Sequence, residues 1–343
     1  MSDSTAHIPD VVLEARGLTV EFDEGRRVIR PVDGVDITLR RGQMLGLVGE
    51  SGSGKSVTSL AITGLTDYTG GRIVSGSVRL GDIDMLALTP KQRSTILGRD
   101  IGMIFQQPRR SLNPTMSVGG QIAEAVRRHR GLSRKEAWAR AVEMLDRVRI
   151  PDAARRAHEM PFSFSGGMAQ RVMIAMALVC EPSVLIADEP TTALDATVQA
   201  RVMELLAELQ HDLDVAVLLI THDLGVASGT CDRISVMYCG QIVEEGPTAD
   251  VLVRAAHPYT KGLLAASPRR GGKGRLVPIP GSVPPSHAIP AGCRFHPRCP
   301  VFTRGACDSG TVDLVPRGPD RADRCVHPGA DGRIAPTTDR TSP

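Results

Sequence analysis

The run Gly49-Glu50-Ser51-Gly52-Ser53-Gly54-Lys55-Ser56 constrains this chain more than any other stretch. Ahead of it stands Met44-Leu45-Gly46-Leu47-Val48, an apolar run suited to a buried strand. Behind it, Val57 to Ile62 can continue as a helix. The pattern G-x-x-x-x-G-K-[ST] in this strand–loop–helix setting is that of a phosphate-binding loop. Glycine at 49, 52 and 54 permits backbone torsions that a side chain would obstruct. Successive N–H groups between Gly49 and Val57, those of Glu50, Ser51 and Ser53 included, can then turn inward around phosphate oxygens. The N-terminus of the following helix adds its partial positive charge. Lys55 is placed to reach the β- and γ-phosphates, and the Ser56 hydroxyl to ligate Mg²⁺. The alternative is a Gly/Ser-rich turn with an incidental lysine, which the flanking strand and helix disfavour. The expectation is a nucleoside triphosphate site.

With 343 residues, the chain is long enough for two or three domains and a substantial core. Its hydrophobic content of 41% and charged content of 23% are those of an ordinary globular protein. A formal net charge of +3 gives no electrostatic case for nucleic acid as partner. An aromatic content of 3% argues against base-stacking platforms. No run approaches the ~20 apolar residues that span a bilayer. Met1 to Asp10 carries acidic residues and no apolar core, unlike a secretory signal. A cytoplasmic chain that docks onto a membrane partner is the resulting expectation, and its seven cysteines are not a disulfide framework.

Along the chain, Leu18, Val20 and Phe22 alternate with polar residues, as do Val35, Ile37 and Leu39. Both runs predict half-buried antiparallel strands, and Ile73 to Met85 predicts another pair turning at Gly81-Asp82. Phe22, upstream of the phosphate loop, is either an aromatic face for adenine or a core-facing strand residue. Ile101 to Phe105 is an apolar strand ending at Gln106. From Val118 to Ile150 the period becomes helical, with Ala137, Trp138, Ala141, Val142, Leu145 and Val148 on one stripe. The arginines opposite, Arg127, Arg128, Arg130 and Arg134 among them, read as a solvated face rather than an anion surface. Buried strands are expected at Val184 to Ala187 and Val215 to Ile220, with functional residues at their C-terminal ends. Apolar strands alternating with helices predict a mainly parallel α/β sheet. After about Val253 regular periodicity fades and Pro and Gly become frequent.

Asp188-Glu189, after four apolar residues, supplies the acidic side of such a site. Asp188 can hold Mg²⁺ through water, and Glu189 can polarise the attacking water. Phe164-Ser165-Gly166-Gly167-Met168 opens a helix whose first amides can meet an anion. Placed before the Asp-Glu strand and followed by Gln170-Arg171, it resembles the signature motif of ATP-binding cassette (ABC) proteins. Gln106 then matches the Q-loop glutamine, Pro190 to Asp195 the segment leading through the D-loop, and His222 the switch histidine. The resemblance covers most of residues 12 to 250. It implies a P-loop NTPase fold with an antiparallel β subdomain and an inserted helical subdomain at about 107–178, all within a nucleotide-binding domain of 11–253. It also implies that Ser165, Gly166 and Gly167 act in trans on ATP held by a second cassette, with Asp195 near the dimer seam. Gln106 would assist at Mg²⁺ and join the site to the helices that hold a membrane partner, and His222 would sense the γ-phosphate.

Several stretches narrow the resemblance to the oligopeptide/dipeptide permease ATPases. These are Ser111-Leu112-Asn113-Pro114, Gln170 to Leu178, His257-Pro258-Tyr259-Thr260-Lys261, and Gly292 to Pro300, with Phe164 and Met168 in the signature. Phe162, Ser163 and Ala169 depart from the usual residues, a change expected to tune the interface. The segment 254–343 would be that group's C-terminal extension. In it the cysteines are spaced Cys293-x5-Cys299-x7-Cys307-x17-Cys325, without the C-x-x-C pair of a zinc ribbon. Four thiolates suit a soft metal centre, and four ordinary reduced thiols are the alternative. The resemblance implies a 4Fe–4S cluster. Cys180, Cys231 and Cys239 read as core residues. What the resemblance implies overall is an ATPase subunit of a peptide importer at the cytoplasmic face of the membrane. Its partners would be a second ATPase subunit, two permease subunits and an extracytoplasmic substrate-binding protein. Nickel, glutathione or another small solute as cargo is the first alternative. A non-transport ABC ATPase is the second, disfavoured by the single cassette and the absence of sustained heptads.

Overall fold

The computed structural model describes residues 10–327, apart from 26, 193 and 268–276. The stretch read as lacking a signal core, except Asp10, and the end of the C-terminal extension lie outside the described residues, as does Ala193 of the D-loop segment. Two long strands, β1 (Val11–Asp23) and β2 (Val28–Arg40), pair antiparallel, with Leu18 opposite Val35 and Val20 opposite Val32. β3 (Met44–Val48) leads through the phosphate loop into α1 (Lys55–Thr63). β4 (Gly71–Leu80) and β5 (Ile83–Asp84) complete a four-stranded antiparallel sheet in the order β2-β1-β4-β5. The alternating runs at 18–22 and 35–39 are therefore strands, because each presents one apolar face to this layer's core.

After α2 (Pro90–Ile96) and β6 (Ile101–Ile104) the chain becomes helical: α3 (Pro108–Ser111), α4 (Val118–Arg130), α5 (Arg134–Arg147), α6 (Ala153–Arg156) and α7 (Gly166–Leu178). Ser133 and Glu136 close a reciprocal capping box at the start of α5, and Ala137, Ala141 and Leu145 are fully buried along its inner stripe. Arg127, Arg128 and Arg134 are exposed, as expected of a solvated face.

The chain then alternates strands and helices: β7 (Val184–Asp188), α8 (Ala196–Asp212), β8 (Ala216–Thr221), α9 (Leu224–Thr230) and β9 (Arg233–Tyr238). β10 (Gln241–Pro247), α10 (Thr248–Val253), α11 (Pro258–Ala266), β11 (Val315–Pro316) and β12 (Ala322–Asp323) follow. The large sheet has the order β11-β12-β10-β9-β3-β8-β7-β6, parallel from β9 to β6 and antiparallel at the other edge. Every residue of β3, β7 and β8 is buried, because both faces of the sheet are covered. Leu45, Leu47, Val184 and Ile186 face the antiparallel layer, whereas Met44, Val48, Leu185 and Ala187 face the helices. The C-terminal ends of β3, β6, β7 and β8 open into the phosphate loop, Gln106, Glu189 and His222 respectively. Among the described residues no helix is long and apolar enough to cross a membrane.

The segment beyond 253 has few regular elements, as its composition predicts. It nevertheless shares the main core: Tyr259, Leu263 and Phe295 lie in the same buried cluster as Tyr238 of β9. β12 extends the large sheet by pairing with β10, Glu244 opposite Asp323. The fully buried Glu244 carboxylate accepts from the backbone N–H of Ala256 (2.7 Å) and of His257 (2.9 Å). The change of character near Val253 thus marks the end of regular periodicity and not the end of a core.

Candidate active site

The phosphate loop is drawn tight against the antiparallel layer and β9. A Cβ on Gly49 would stand 2.2 Å from the carbonyl oxygen of Met237. Gly54 has φ +106°, and a Cβ there would stand 2.0 Å from the carbonyl oxygen of Pro31, so only glycine fits. Gly54 also begins α1 without a side-chain cap, and no acidic residue occupies the first turn. The amides at that helix start are left for an anion. Lys55 is 5% exposed, and its Nζ donates to the carbonyls of Gly49 (2.7 Å) and Glu50 (2.9 Å) and to Ser53 Oγ (3.2 Å). Burial lowers its pKa below the ordinary lysine value, against the pull of Glu189, Asp188 and Glu50.

Across the sheet, Ser56 Oγ donates to Asp188 Oδ1 at 3.1 Å. Burial raises the Asp188 pKa, which a bound cation would reverse. A hydroxyl beside a buried carboxylate is an all-oxygen donor set of the kind Mg²⁺ takes, so these residues fit that ion. Glu189 adopts φ +47°, a left-handed conformation that a non-glycine residue holds only under constraint. Its N–H donates to the carbonyl of Ile220, which ties the turn to β8. Three donors converge on its carboxylate: Gln106 Nε2 at 2.7 Å, Thr192 Oγ1 at 2.8 Å and His222 Nδ1 at 3.1 Å. Burial works against the charged form, but the hydrogen bonds from Thr192, His222 and Gln106 hold the carboxyl below its ordinary 4.5. The structure therefore brings Gln106, Glu189 and His222 together from the ends of three strands. Thr192 escaped the sequence reading. Its signal was the spacing Glu189-x-x-Thr192, a turn in which the Thr192 N–H also donates to the Glu189 carbonyl.

Ser165 caps α7, accepting from the Met168 N–H at 3.3 Å. A Cβ on Gly167 would stand 2.6 Å from Val198 of α8, and one on Gly166 would stand 3.6 Å from Leu194. The signature thus leans on the start of α8. Asp195 caps α8, its Oδ1 accepting from the N–H of Thr197 and Val198. Phe164 is buried beneath the Arg156 guanidinium, and Arg109 donates to its carbonyl at 3.0 Å.

Three of the residues expected at the site have partners outside it. Phe22 is half-buried: it lies against Gly71 and packs partly into the antiparallel layer. Val57 likewise packs against that core. Glu50 is turned away from the cradle: its carboxylate meets Arg298 at 2.7 and 3.1 Å, and its N–H donates to Tyr259 Oη at 2.8 Å. Residues far down the chain recruit it, which local spacing does not reveal. Ser51 and Gly52 line a pocket of about 300 Å³ together with Arg30, Pro31, Cys239 and Val283.

All seven cysteines are free, and Cys180, Cys231 and Cys239 are buried as expected of core residues. Cys293, Cys299, Cys307 and Cys325 are neighbours in the extension. Burial, with the other cysteines adding to it, raises the thiol pKa of Cys293 and Cys325, and that of Cys299 to about 11. Cys307 Sγ is 3.5 Å from His327 Nε2 and accepts from the Thr303 N–H at 3.4 Å. Among the described residues no group of three or more His, Cys, Asp or Glu side chains is placed to hold a metal ion. The donor chemistry of four thiols in one region fits a soft metal centre.

Residues 32–192 match the ABC transporter family, and residues 243–307 match the oligopeptide/dipeptide transporter C-terminal region. The chain is 46% identical over 315 residues to the oligopeptide transport ATP-binding protein AppD of Bacillus subtilis, covering 92% of this chain and 96% of that protein. It is 49% identical to a putative peptide import ATP-binding protein of Brucella abortus, covering 92% and 94%. Among solved structures, the dimeric post-hydrolysis ATP-binding cassette MJ0796 bound to ADP and Pi aligns with TM-score 0.62 and 29% identity, over 69% of this chain and 98% of that one. CbiO1 from Clostridium perfringens, part of the ABC transporter complex cbiONQ, aligns with TM-score 0.61 and 27% identity over 71% and 92%. The chain is an ATP-hydrolysing cassette of the ABC transporter family, built for ATP and Mg²⁺. Within that family it belongs to the ATP-binding proteins that carry the oligopeptide/dipeptide transporter C-terminal region.

Proposed function

We propose that this chain powers the import of di- or oligopeptides, as one ATPase subunit of a transporter. The observation that carries the catalytic reading is the convergence of Gln106, Thr192 and His222 on Glu189. Lys55 and the loop amides bind the phosphates, and Ser56 and Asp188 supply the oxygens for Mg²⁺, with Gln106 assisting. Mg²⁺, when bound, offsets phosphate charge as it builds toward the transition state. Glu189, ionised by its three donors, accepts a proton from the attacking water. The water oxygen bonds to the γ-phosphorus as the bridging P–O bond to the β-phosphate breaks, leaving ADP and phosphate. His222 fixes the orientation of Glu189 and senses the γ-phosphate. Ser165, Gly166 and Gly167 serve ATP held by a second cassette, with Asp195 near that seam. The part of the Phe22 ring left outside the core is assigned to the adenine side.

The peptide cargo rests on the C-terminal region and on the peptide-import relatives. We extend the proposal to the partners: a second cassette, two permease subunits at the cytoplasmic face and an extracytoplasmic substrate-binding protein. It extends also to a 4Fe–4S cluster held by the thiolates of Cys293, Cys299, Cys307 and Cys325. Anaerobic purification followed by iron analysis tests the cluster: about four irons per chain are expected, and zinc or no metal overturns it. The function is tested by reconstituting the transporter in vesicles with ATP and labelled peptide. ATP-dependent peptide uptake, lost on Glu189→Gln, is expected. Uptake of nickel or glutathione in place of peptide overturns the cargo assignment.

A further inference from the structure

The second residue of the phosphate loop, Glu50, is held at three points. Its carbonyl accepts from Lys55, its N–H donates to Tyr259 Oη, and its carboxylate takes both terminal nitrogens of Arg298. The last two partners come from the C-terminal extension, more than two hundred residues away in sequence. Arg298 is built into place. Its side chain is 4% exposed, its Nε donates to the Pro280 carbonyl at 2.9 Å, and its Nη1 lies 3.3 Å from Tyr238 Oη. The guanidinium carbon lies 5.8 Å from the ring centroids of both Tyr238 and Phe295. Tyr259 completes that aromatic box, its ring centroid 4.5 Å from that of Tyr238. A planar, always-charged guanidinium meeting a carboxylate with two nitrogens fixes direction as well as distance.

We infer that the C-terminal extension is the far wall of the nucleotide site, with Arg298 and Tyr259 as positioning residues that hold the phosphate loop through Glu50. The inference rests on the phosphate-binding reading of that loop. When Lys55 turns to the phosphates it releases the Glu50 carbonyl, and the two remaining ties keep the first turn of the loop in place. Without them the loop amides must be ordered at the cost of nucleotide affinity. The extension thereby supports nucleotide binding through another residue, without touching substrate.

The test uses the full chain with a fluorescent ATP analogue for Kd, steady-state hydrolysis for kcat and KM, and thermal melting as control. Arg298→Gln, Glu50→Gln, the double variant and Tyr259→Phe are compared. Arg298→Gln is expected to raise Kd and KM about 10–100-fold, the scale of lost charge-assisted hydrogen bonds, with kcat changing far less. The double variant is expected to be no worse than the poorer single, because both break one pair. Tyr259→Phe, which removes only a hydroxyl, is expected to raise Kd about 3–10-fold. It decides the matter should Arg298→Gln fail to fold. A lowered melting temperature with unchanged Kd and KM, or additive effects in the double variant, overturns the inference by leaving Arg298 a purely structural residue. Failure of the unmodified chain to bind the analogue overturns instead the nucleotide reading of the loop.

Discussion

At the scale of single residues, the decisive arrangement is around Glu189. A carboxylate in a left-handed turn, with amide, hydroxyl and imidazole donors converging on it, is kept charged and correctly aimed. Glu189→Gln removes the proton acceptor while keeping shape, so phosphate release should fall by about 10²–10⁴-fold with ATP binding retained. Single-turnover phosphate release against nucleotide binding checks this. Thr192→Val removes the hydroxyl donor first among those that lower the Glu189 pKa. The acid limb of kcat should then move up toward 4.5, the ordinary value, and a pH–rate profile reads the shift. The stability effect has the same sign. A depressed carboxyl pKa contributes stability above the unfolded value of 4.5, and that contribution disappears as pH falls through the folded value. In Thr192→Val that contribution should be smaller and gone at a higher pH, as acid-denaturation midpoints would show.

At the scale of elements, helix starts do double service. Asp195 begins α8 and Ser165 begins α7, each by accepting backbone N–H bonds, and both are also candidates for contact with a second cassette. The two roles separate by substitution. Asp195→Ala should cost about 0.5–2 kcal/mol of stability through loss of the cap, whereas Asp195→Asn, which still caps, should cost little. Thermal melting checks that pair. A fall in ATPase with Asp195→Asn at unchanged melting temperature would then report the seam rather than the cap.

At the scale of the whole molecule, the extension and the cassette share one core. Truncation after Val253 would uncover Tyr238 and remove the partners that satisfy the fully buried Glu244. An uncompensated buried carboxylate is strongly destabilising. Residues 1–253 alone should therefore aggregate or expose hydrophobic surface, measured by size-exclusion chromatography and dye binding. A monodisperse, cooperatively melting fragment would show that the extension is dispensable for folding.

The sequence by itself determined the features that depend on local spacing. The phosphate loop is legible because three glycines and a lysine at fixed intervals are needed to turn amides toward phosphate. The strands β3, β7 and β8 are legible because continuous apolar runs need cover on both faces. Asp188 and Glu189 could be named because they stand at the end of such a strand, and Gln106 and His222 because they occupy the places that the ABC resemblance gives them. Only the tertiary structure decided what lies across the fold. That Phe22 packs on Gly71 and that Glu50 is claimed by Tyr259 and Arg298 follow from packing between segments distant in sequence. Spacing carries no trace of such meetings, because a buried ion pair is specified by two surfaces brought together and not by either alone. The low periodicity beyond Val253 likewise concealed a shared core, since Tyr259 and Phe295 recur at no regular interval yet fill one aromatic box against Tyr238.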